Sequence, residues 1–377
     1  MITKEGKKIR VGVVTPPISA AGLIPLSNLL NILSLQSETL YLITGNAGNN
    51  YFKNDVRIIS SEIVYHKRKN KLLRIFTFFY LQIRIALVLI KIVKRCDVWV
   101  FFLGGEIMVL PMFIAKLFRK KVFLLFGGSA VNIYFFDNSA IHWLKILTTI
   151  NCSLSDKLIL YSKNLVKDWK LEKYENKIEF AHEHIIDFQK FKIIKQHRER
   201  ENIIGFIGRL SEEKGILNFV KAIDIIIKDR KNITFLIIGD GQLRKKIEHY
   251  IDQKKLNSYV KIEGWVSHHE LPLCFNKLKL MVIPSYTEGL PNAMLEAMAC
   301  GTPVLATSVG VIPNIIIHEE TGFILENNSP QCIAENIIRA LENSNLGKIA
   351  VNAEKIIEGE FTLDSSVKQW KRIFEKM

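Results

Sequence analysis

Two carboxylates separated by seven residues, Glu288 and Glu296, lie in the run SYTEGLPNAMLEAMACGTPVLAT at residues 285–307. The preceding KLMVIPS reads as a buried strand, and Thr287 to Leu290 as a turn. Pro291 suits a first helical turn because no N–H partner is needed there. A helix then continues to Cys300 and ends at Gly301. Glu288 is thereby expected in the loop at the strand's carboxyl end, where open α/β sheets bind ligands. The amides of Gly289, Leu290 and Asn292, at a helix start with free N–H groups, suit a diphosphate, and the Asn292 side chain adds a donor. Glu296, just over a turn into the helix, can accept bonds from two vicinal ribose hydroxyls. A lone glutamate is more often a solvated helix face, so this reading depends on what accompanies it.

A second run, GFIGRLSEEKGILNFVKAI, supplies company. Its strand ends at Gly208, Ser211 reads as a helix N-cap, and Arg209 and Lys214 flank the turn. Two cations there can neutralise a diphosphate and stabilise it as a leaving group. The chain has no D-x-D triplet of the kind that holds a metal against a nucleotide diphosphate, so no metal and no other cofactor is expected. A third run, LIIGDGQLRKKI, is a strand, a tight Gly-Asp-Gly turn and a basic helix, which alone is a weak signal.

The elements that must position these groups alternate. IRVGVV, LYLIT, VWVFFL, KVFLLFGG and KLILYS read as strands in the first half, with helical patterns near 25–34, 71–95 and 106–119. NIIGFIG, NITFLIIGDG, YVKIEGW, KLMVIPS, TPVLATS and GFILE read as strands in the second. The β, α, β order predicts parallel sheets covered on both faces, hence an α/β chain of two Rossmann-like halves. With 377 residues, 48% hydrophobic, the chain is long enough for two cores. The polar segment 182–201 is expected to link them. The expected domains are residues 1–190, 191–360 and a terminal helix over 361–377.

Charge is unevenly shared. Residues 1–190 carry 27 Lys and Arg against 14 Asp and Glu, while 191–377 carry 25 against 23. A basic first half suits an anionic membrane surface; solvated lysine on a Lys-rich sequence is the plainer alternative. Nucleic acid is not expected as a partner, for there is no reader module and no aromatic-basic interleaving. The apolar stretch KLLRIFTFFYLQIRIALVLIKIVKR is interrupted by Arg74, Arg84 and Lys91, which argues against a bilayer span. With HKRKNK just before it, the stretch suits a helix at an anionic lipid surface or a core helix with a basic edge. Five scattered cysteines without a CxxC pair suit a reducing cytoplasm, and the four-residue apolar run near the amino terminus is too short for a signal peptide.

Taken in order, GFIGRLSEEKG, LIIGDGQLR, IEGWVSHHELP and SYTEGLPNAMLEAMACGTPVLATSVG resemble the large "group 1" family of retaining glycosyltransferases with GT-B architecture. The resemblance is dense from about 203 to 326. It implies two Rossmann-like domains facing a central cleft. It also implies retaining transfer of a hexose from a UDP- or GDP-linked donor to a hydroxyl acceptor, such as a glycan or lipid-linked precursor at the inner face of the cytoplasmic membrane. By the same resemblance Arg209 and Lys214 bind the donor diphosphate, Glu288 contacts the transferred sugar, and Glu296 holds the ribose. The base would sit near Gly264 to Val266, and DSSVKQWKRIFEKM would cross back to the first domain. The first domain departs from the pattern. Ala21-Gly22 stands where the family often has two glycines, leaving Gly22 as a donor-side residue, and Phe126-Gly127-Gly128-Ser129 lacks the histidine many members carry. The alternatives are a sugar-nucleotide epimerase of the same frame and a non-catalytic donor-binding subunit.

Overall fold

The computed structural model describes residues 9–53, 58–63, 71–128 and 138–377. Ser129, the basic run at 66–70 and the first eight residues lie outside these. The chain divides into two compact units, residues 1–185 with 363–377, and residues 186–362.

The first unit is built on seven parallel strands: β1 Arg10–Val14, β2 Thr39–Gly45, β3 Ile58–Ile63, β4 Val98–Phe101, β5 Lys121–Leu125, β6 Lys157–Leu160 and β7 Ile178–Phe180. They run in the order β3-β2-β1-β4-β5-β6-β7. Central strands such as VWVF and VFLL are continuous apolar runs because both faces are covered. β3 and β7 were not anticipated: IISSEI carries a polar triplet, and IEF is only three residues long. Gly12 pairs with Trp99, whose ring would lie 2.4 Å from a Cβ there, so the fully buried indole fills the missing side chain's space.

Strand order also decides which helix covers which face. From β3 onward the chain moves across the sheet in one direction, and right-handed crossovers therefore put helices Lys71–Ile92, Val109–Leu117 and Asn138–Leu154 on the same face. The connections from β1 to β2 to β3 run the other way, placing helix Leu23–Ser34 on the opposite face. Helix Leu363–Glu375 packs on that helix. Its Trp370 and Phe374 are buried, the Trp370 Nε1–H donates to the His182 carbonyl at 3.1 Å, and Gln36 Nε2 donates to the Val367 carbonyl at 3.0 Å.

The chain passes from the first unit to the second between residues 185 and 186, inside the polar segment 182–201 expected to link them, and that segment carries buried side chains of its own. Glu183 is buried in the first, where its Oε1 accepts the Tyr161 hydroxyl at 2.6 Å. Burial pushes the Glu183 carboxyl up to about 7, against the bond from Tyr161 that opposes the rise. A raised carboxyl pKa favours the folded state while both states are protonated; that stability is lost as pH rises from the unfolded value through the folded one. Glu183→Gln is therefore expected to gain stability over the wild type between pH 4 and pH 8, by about 3 kcal/mol, measured by urea unfolding at both pH values.

The second unit has six parallel strands: β8 Ile203–Ile207, β9 Thr234–Ile238, β10 Val260–Glu263, β11 Leu280–Ile283, β12 Val304–Thr307 and β13 Phe323–Leu325. The order is β10-β9-β8-β11-β12-β13, and all six fall within anticipated runs. Arg200 closes the bottom of this sheet: its buried guanidinium donates to the carbonyls of Leu278 and Cys300 and to the Thr302 hydroxyl, at 3.1, 2.7 and 2.7 Å.

Candidate active site

In the second unit the chain winds outward from β8 through β9 to β10, then returns to β11 on the other side of β8. The order reverses between β8 and β11, and loops leaving adjacent strands in opposite directions open a crevice at their carboxyl ends. Lys214 hangs from one loop and Glu288 from the other. The Lys214 ammonium donates to both Glu288 oxygens, at 2.7 and 2.8 Å, and the Ser285 hydroxyl donates to Oε1 at 2.7 Å. Glu288 is buried. Beside it, the Thr287 hydroxyl is buried with no hydrogen-bond partner among the described residues, a polar group that costs free energy until something bonds it.

Two glycines set these loops. Gly215 follows Lys214 with φ +67°, and a Cβ there would lie 1.9 Å from the Pro284 carbonyl oxygen, so only glycine lets the two loops meet. Gly310 has φ +58°, and its Cβ would lie 2.1 Å from the Glu288 carbonyl oxygen. Neither was picked out in the sequence. Gly208 ends β8 as expected, and its amide donates to the Ile238 carbonyl at 3.0 Å.

Ser211 does not cap the following helix, which starts at Ile216 after the short 3₁₀ turn Glu212–Lys214. Its hydroxyl donates instead to Glu213 Oε1 at 2.6 Å, and Arg209 lies 3.4 Å from the same oxygen. Burial would lift the Glu213 carboxyl, but the bonds from Ser211 and the Glu213 amide, with Arg209 and Lys214 nearby, hold it below the usual carboxylate range. Arg209 itself is 66% exposed, a cation held on a short tether at the crevice edge.

The helix after Glu288 is Asn292–Ala299, with Pro291 just before it rather than inside its first turn. Its N-cap residue, Pro291, makes no side-chain capping bond, and its first turn holds no acidic residue. The Gly289 carbonyl accepts the Val311 amide at 3.0 Å, and Leu290 is buried beneath the turn. Asn292 is the first helical residue.

Glu296, on the same helix, is mostly buried and accepts from His268 Nε2 at 2.7 Å. His268 Nδ1 in turn lies 2.9 Å from the Lys190 ammonium. An ammonium can only donate, so Nδ1 is the acceptor and the proton on Nε2 points at the carboxylate. Phe191 packs against the ring, with centroids 5.1 Å apart. His268 is two residues beyond Val266, so the loop Gly264–Val266 is drawn towards Glu296. Arg244 lies against Gly264, where a Cβ would meet its guanidinium at 2.8 Å. Lys190, Arg244 and His268 escaped the sequence reading; the His-His pair in VSHHELP was the available signal.

His268→Ala is expected to raise the donor KM about three- to tenfold with kcat nearly unchanged, because it frees the Glu296 side chain without touching the cations. Steady-state kinetics against varied donor would check this; equal loss in kcat would contradict it.

Gly22 belongs to the first unit, in a 3₁₀ turn between β1 and helix Leu23–Ser34. The second-unit geometry thus brings Lys214 together with Glu288, and Glu296 with the loop after Val266.

Among known proteins, residues 187–356 match the family "Glycosyl transferases group 1". An uncharacterized glycosyltransferase of Methanocaldococcus jannaschii is 32% identical over 46% of this chain and 47% of its own length. The capsular polysaccharide biosynthesis glycosyltransferase CapM of Staphylococcus aureus is 27% identical over 61% of each chain. The chain thus spans about half the length of the first of these curated relatives. Among solved structures, Anabaena HepE in complex with UDP superposes with a TM-score of 0.78, covering 98% of this chain and 100% of that one at 16% identity. At that identity the likeness is one of fold: GT-B, two α/β units each on a parallel sheet.

Proposed function

We propose, from the premise that residues 187–356 belong to the group 1 glycosyl transferases, that the protein transfers a hexose from a UDP- or GDP-linked donor to a hydroxyl of a glycan or lipid-linked acceptor, with retention. The observation that carries this reading is the Lys214–Glu288 pair spanning the strand-order reversal at 2.7 Å. A cation and a buried carboxylate there are what a sugar diphosphate needs, one for its charge and one for its hydroxyls. Support also comes from HepE, which binds UDP, and from CapM, which serves capsular polysaccharide biosynthesis.

In this mechanism Arg209 exchanges Glu213 for the diphosphate, and Lys214 shares its charge between Glu288 and a phosphate oxygen. The amides of Gly289, Leu290 and Asn292, at the start of that helix, face the diphosphate. Glu296, held through one oxygen by His268, takes a ribose hydroxyl on the other, with the base along Gly264 to Val266. The acceptor hydroxyl attacks the anomeric carbon on the face the diphosphate leaves, and its proton passes to the departing phosphate. Positioning and charge stabilisation of the leaving group supply the rate, and two side-chain cations meet the charge a metal would otherwise meet.

The test is incubation with UDP- and GDP-hexoses and a lipid-linked acceptor in EDTA, following nucleoside diphosphate release and the product's anomeric coupling by NMR. Release with an axial donor giving an axial product supports the reading. Release with inversion overturns retention, and conversion of the donor to its epimer without release favours the epimerase alternative.

A further inference from the structure

The face of the first unit that carries helices Lys71–Ile92, Val109–Leu117 and Asn138–Leu154 is a continuous layer. The first helix packs on the second and the second on the third, and Gln82 Oε1 accepts the Leu110 amide at 2.9 Å across the first junction. Each helix turns large apolar side chains away from the sheet. Phe76 is 71% exposed, and Phe79, Tyr80, Ile83 and Leu87 continue its stripe at helical spacing. Phe113 and Leu117 extend the surface on the second helix, and Trp143, 69% exposed, and Ile146 on the third. Such an expanse on a soluble surface marks an interaction site.

Charge selects the occupant. None of the three helices contains an aspartate or glutamate. Arg84, Lys91, Lys94 and Arg95 are exposed along and just after the first helix, and Lys145 on the third. A second copy docked through this face would set the same cations against each other with no acid to answer them. A surface that is both apolar and negatively charged is a bilayer of anionic phospholipid. The 20 residues from Phe76 to Arg95, most of the first helix and the short turn after it, have the length and mean hydropathy, 1.9, to cross a membrane. Its other side is committed, however: Leu81, Gln82, Ile85, Ala86 and Leu89 are buried in the unit. It lies in the layer, flat.

We propose that this three-helix face docks the protein on an anionic lipid bilayer, with Phe76, Phe113 and Trp143 entering the acyl boundary and the surrounding lysines and arginines meeting the headgroups. This docking deepens the lipid-linked acceptor reading. It is tested without donor or acceptor, so failure to dock and failure to transfer are distinguishable.

The full chain is floated with vesicles of phosphatidylglycerol and phosphatidylcholine, and with phosphatidylcholine alone, at low and raised salt. Expected are binding to the anionic vesicles, weakening with salt, and quenching of tryptophan fluorescence by brominated acyl chains that disappears in Trp143→Phe. The variant Phe76→Ser/Phe113→Ser/Trp143→Ser, all at exposed positions, should bind about tenfold more weakly or less with an unchanged melting temperature. Arg84→Glu/Lys91→Glu should lose the preference for phosphatidylglycerol. Absence of binding to anionic vesicles at low salt, undiminished binding by the triple-serine variant, or lipid-free self-association abolished by that variant would each overturn the proposal.

Discussion

Lys214→Ala is expected to lower kcat by about 100- to 1000-fold, the scale seen when one preorganised donor to a developing charge is removed. The ammonium is three-quarters buried and bonded to both oxygens of Glu288, so its loss acts twice. The leaving diphosphate loses a cation, and the buried carboxylate keeps, among the described residues, the Ser285 hydroxyl as its side-chain partner. A stability cost of about 1–3 kcal/mol should accompany the kinetic loss, reduced from the fully buried case because the lysine is partly solvated. Glu288→Gln in the Lys214→Ala background separates the two effects: it should restore much of the stability and none of the turnover. Arg209→Ala, whose side chain is mostly exposed, should cut kcat severely with almost no change in melting temperature. Near-normal turnover in both alanine variants would remove the diphosphate assignment.

Gly310→Ala is expected to be nearly as damaging although residue 310 bears no functional group. Its φ of +58° disfavours any side chain by about 1–2 kcal/mol. The added carbon must also displace the Glu288 carbonyl from 2.1 Å and the Gly289 carbonyl from 2.8 Å. Backbone, not a flexible side chain, is in the way, so the turn carrying Glu288 moves. A destabilisation of about 2–4 kcal/mol and loss of most donor affinity should follow, measured by thermal unfolding and nucleotide titration. An alanine variant with wild-type affinity would mean the Glu288 turn does not have to be held where it is.

These two substitutions also show where sequence was informative. Lys214 and Glu288 could be singled out because a strand, a turn and a helix start are written locally, in GFIG-RLSEEKG and VIPS-YTEGLP. Their contact depends on β8 and β11 being neighbours across a sequence separation of 74, which only sheet order reveals. Gly310 and Gly215 look like ordinary loop glycines until the carbonyls of Glu288 and Pro284 are found against them. His268 was missed because a His-His pair in a polar loop has no periodicity to expose it; its contacts come from Lys190 on one side and Glu296 on the other. The second unit's strands were readable as apolar runs with a Gly or Pro at one end. In the first unit β3 and β7 were lost, one to its Ser-Ser-Glu centre and the other to its length. Residues 182–201 were readable as the link between the units from their polarity and lack of period, while the part of Arg200 as a buried donor to carbonyls was not.

On the proposed mechanism the second unit's crevice binds a nucleotide diphosphate sugar through Lys214, Arg209 and Glu296. Isothermal titration of UDP, GDP and their hexose conjugates in EDTA, on the wild type and on Glu296→Ala, tests it most directly. Saturable binding of one nucleotide series, unaffected by EDTA and weakened about tenfold or more in the variant, is the predicted result. No binding of either series, or binding that Glu296→Ala leaves intact, would contradict it.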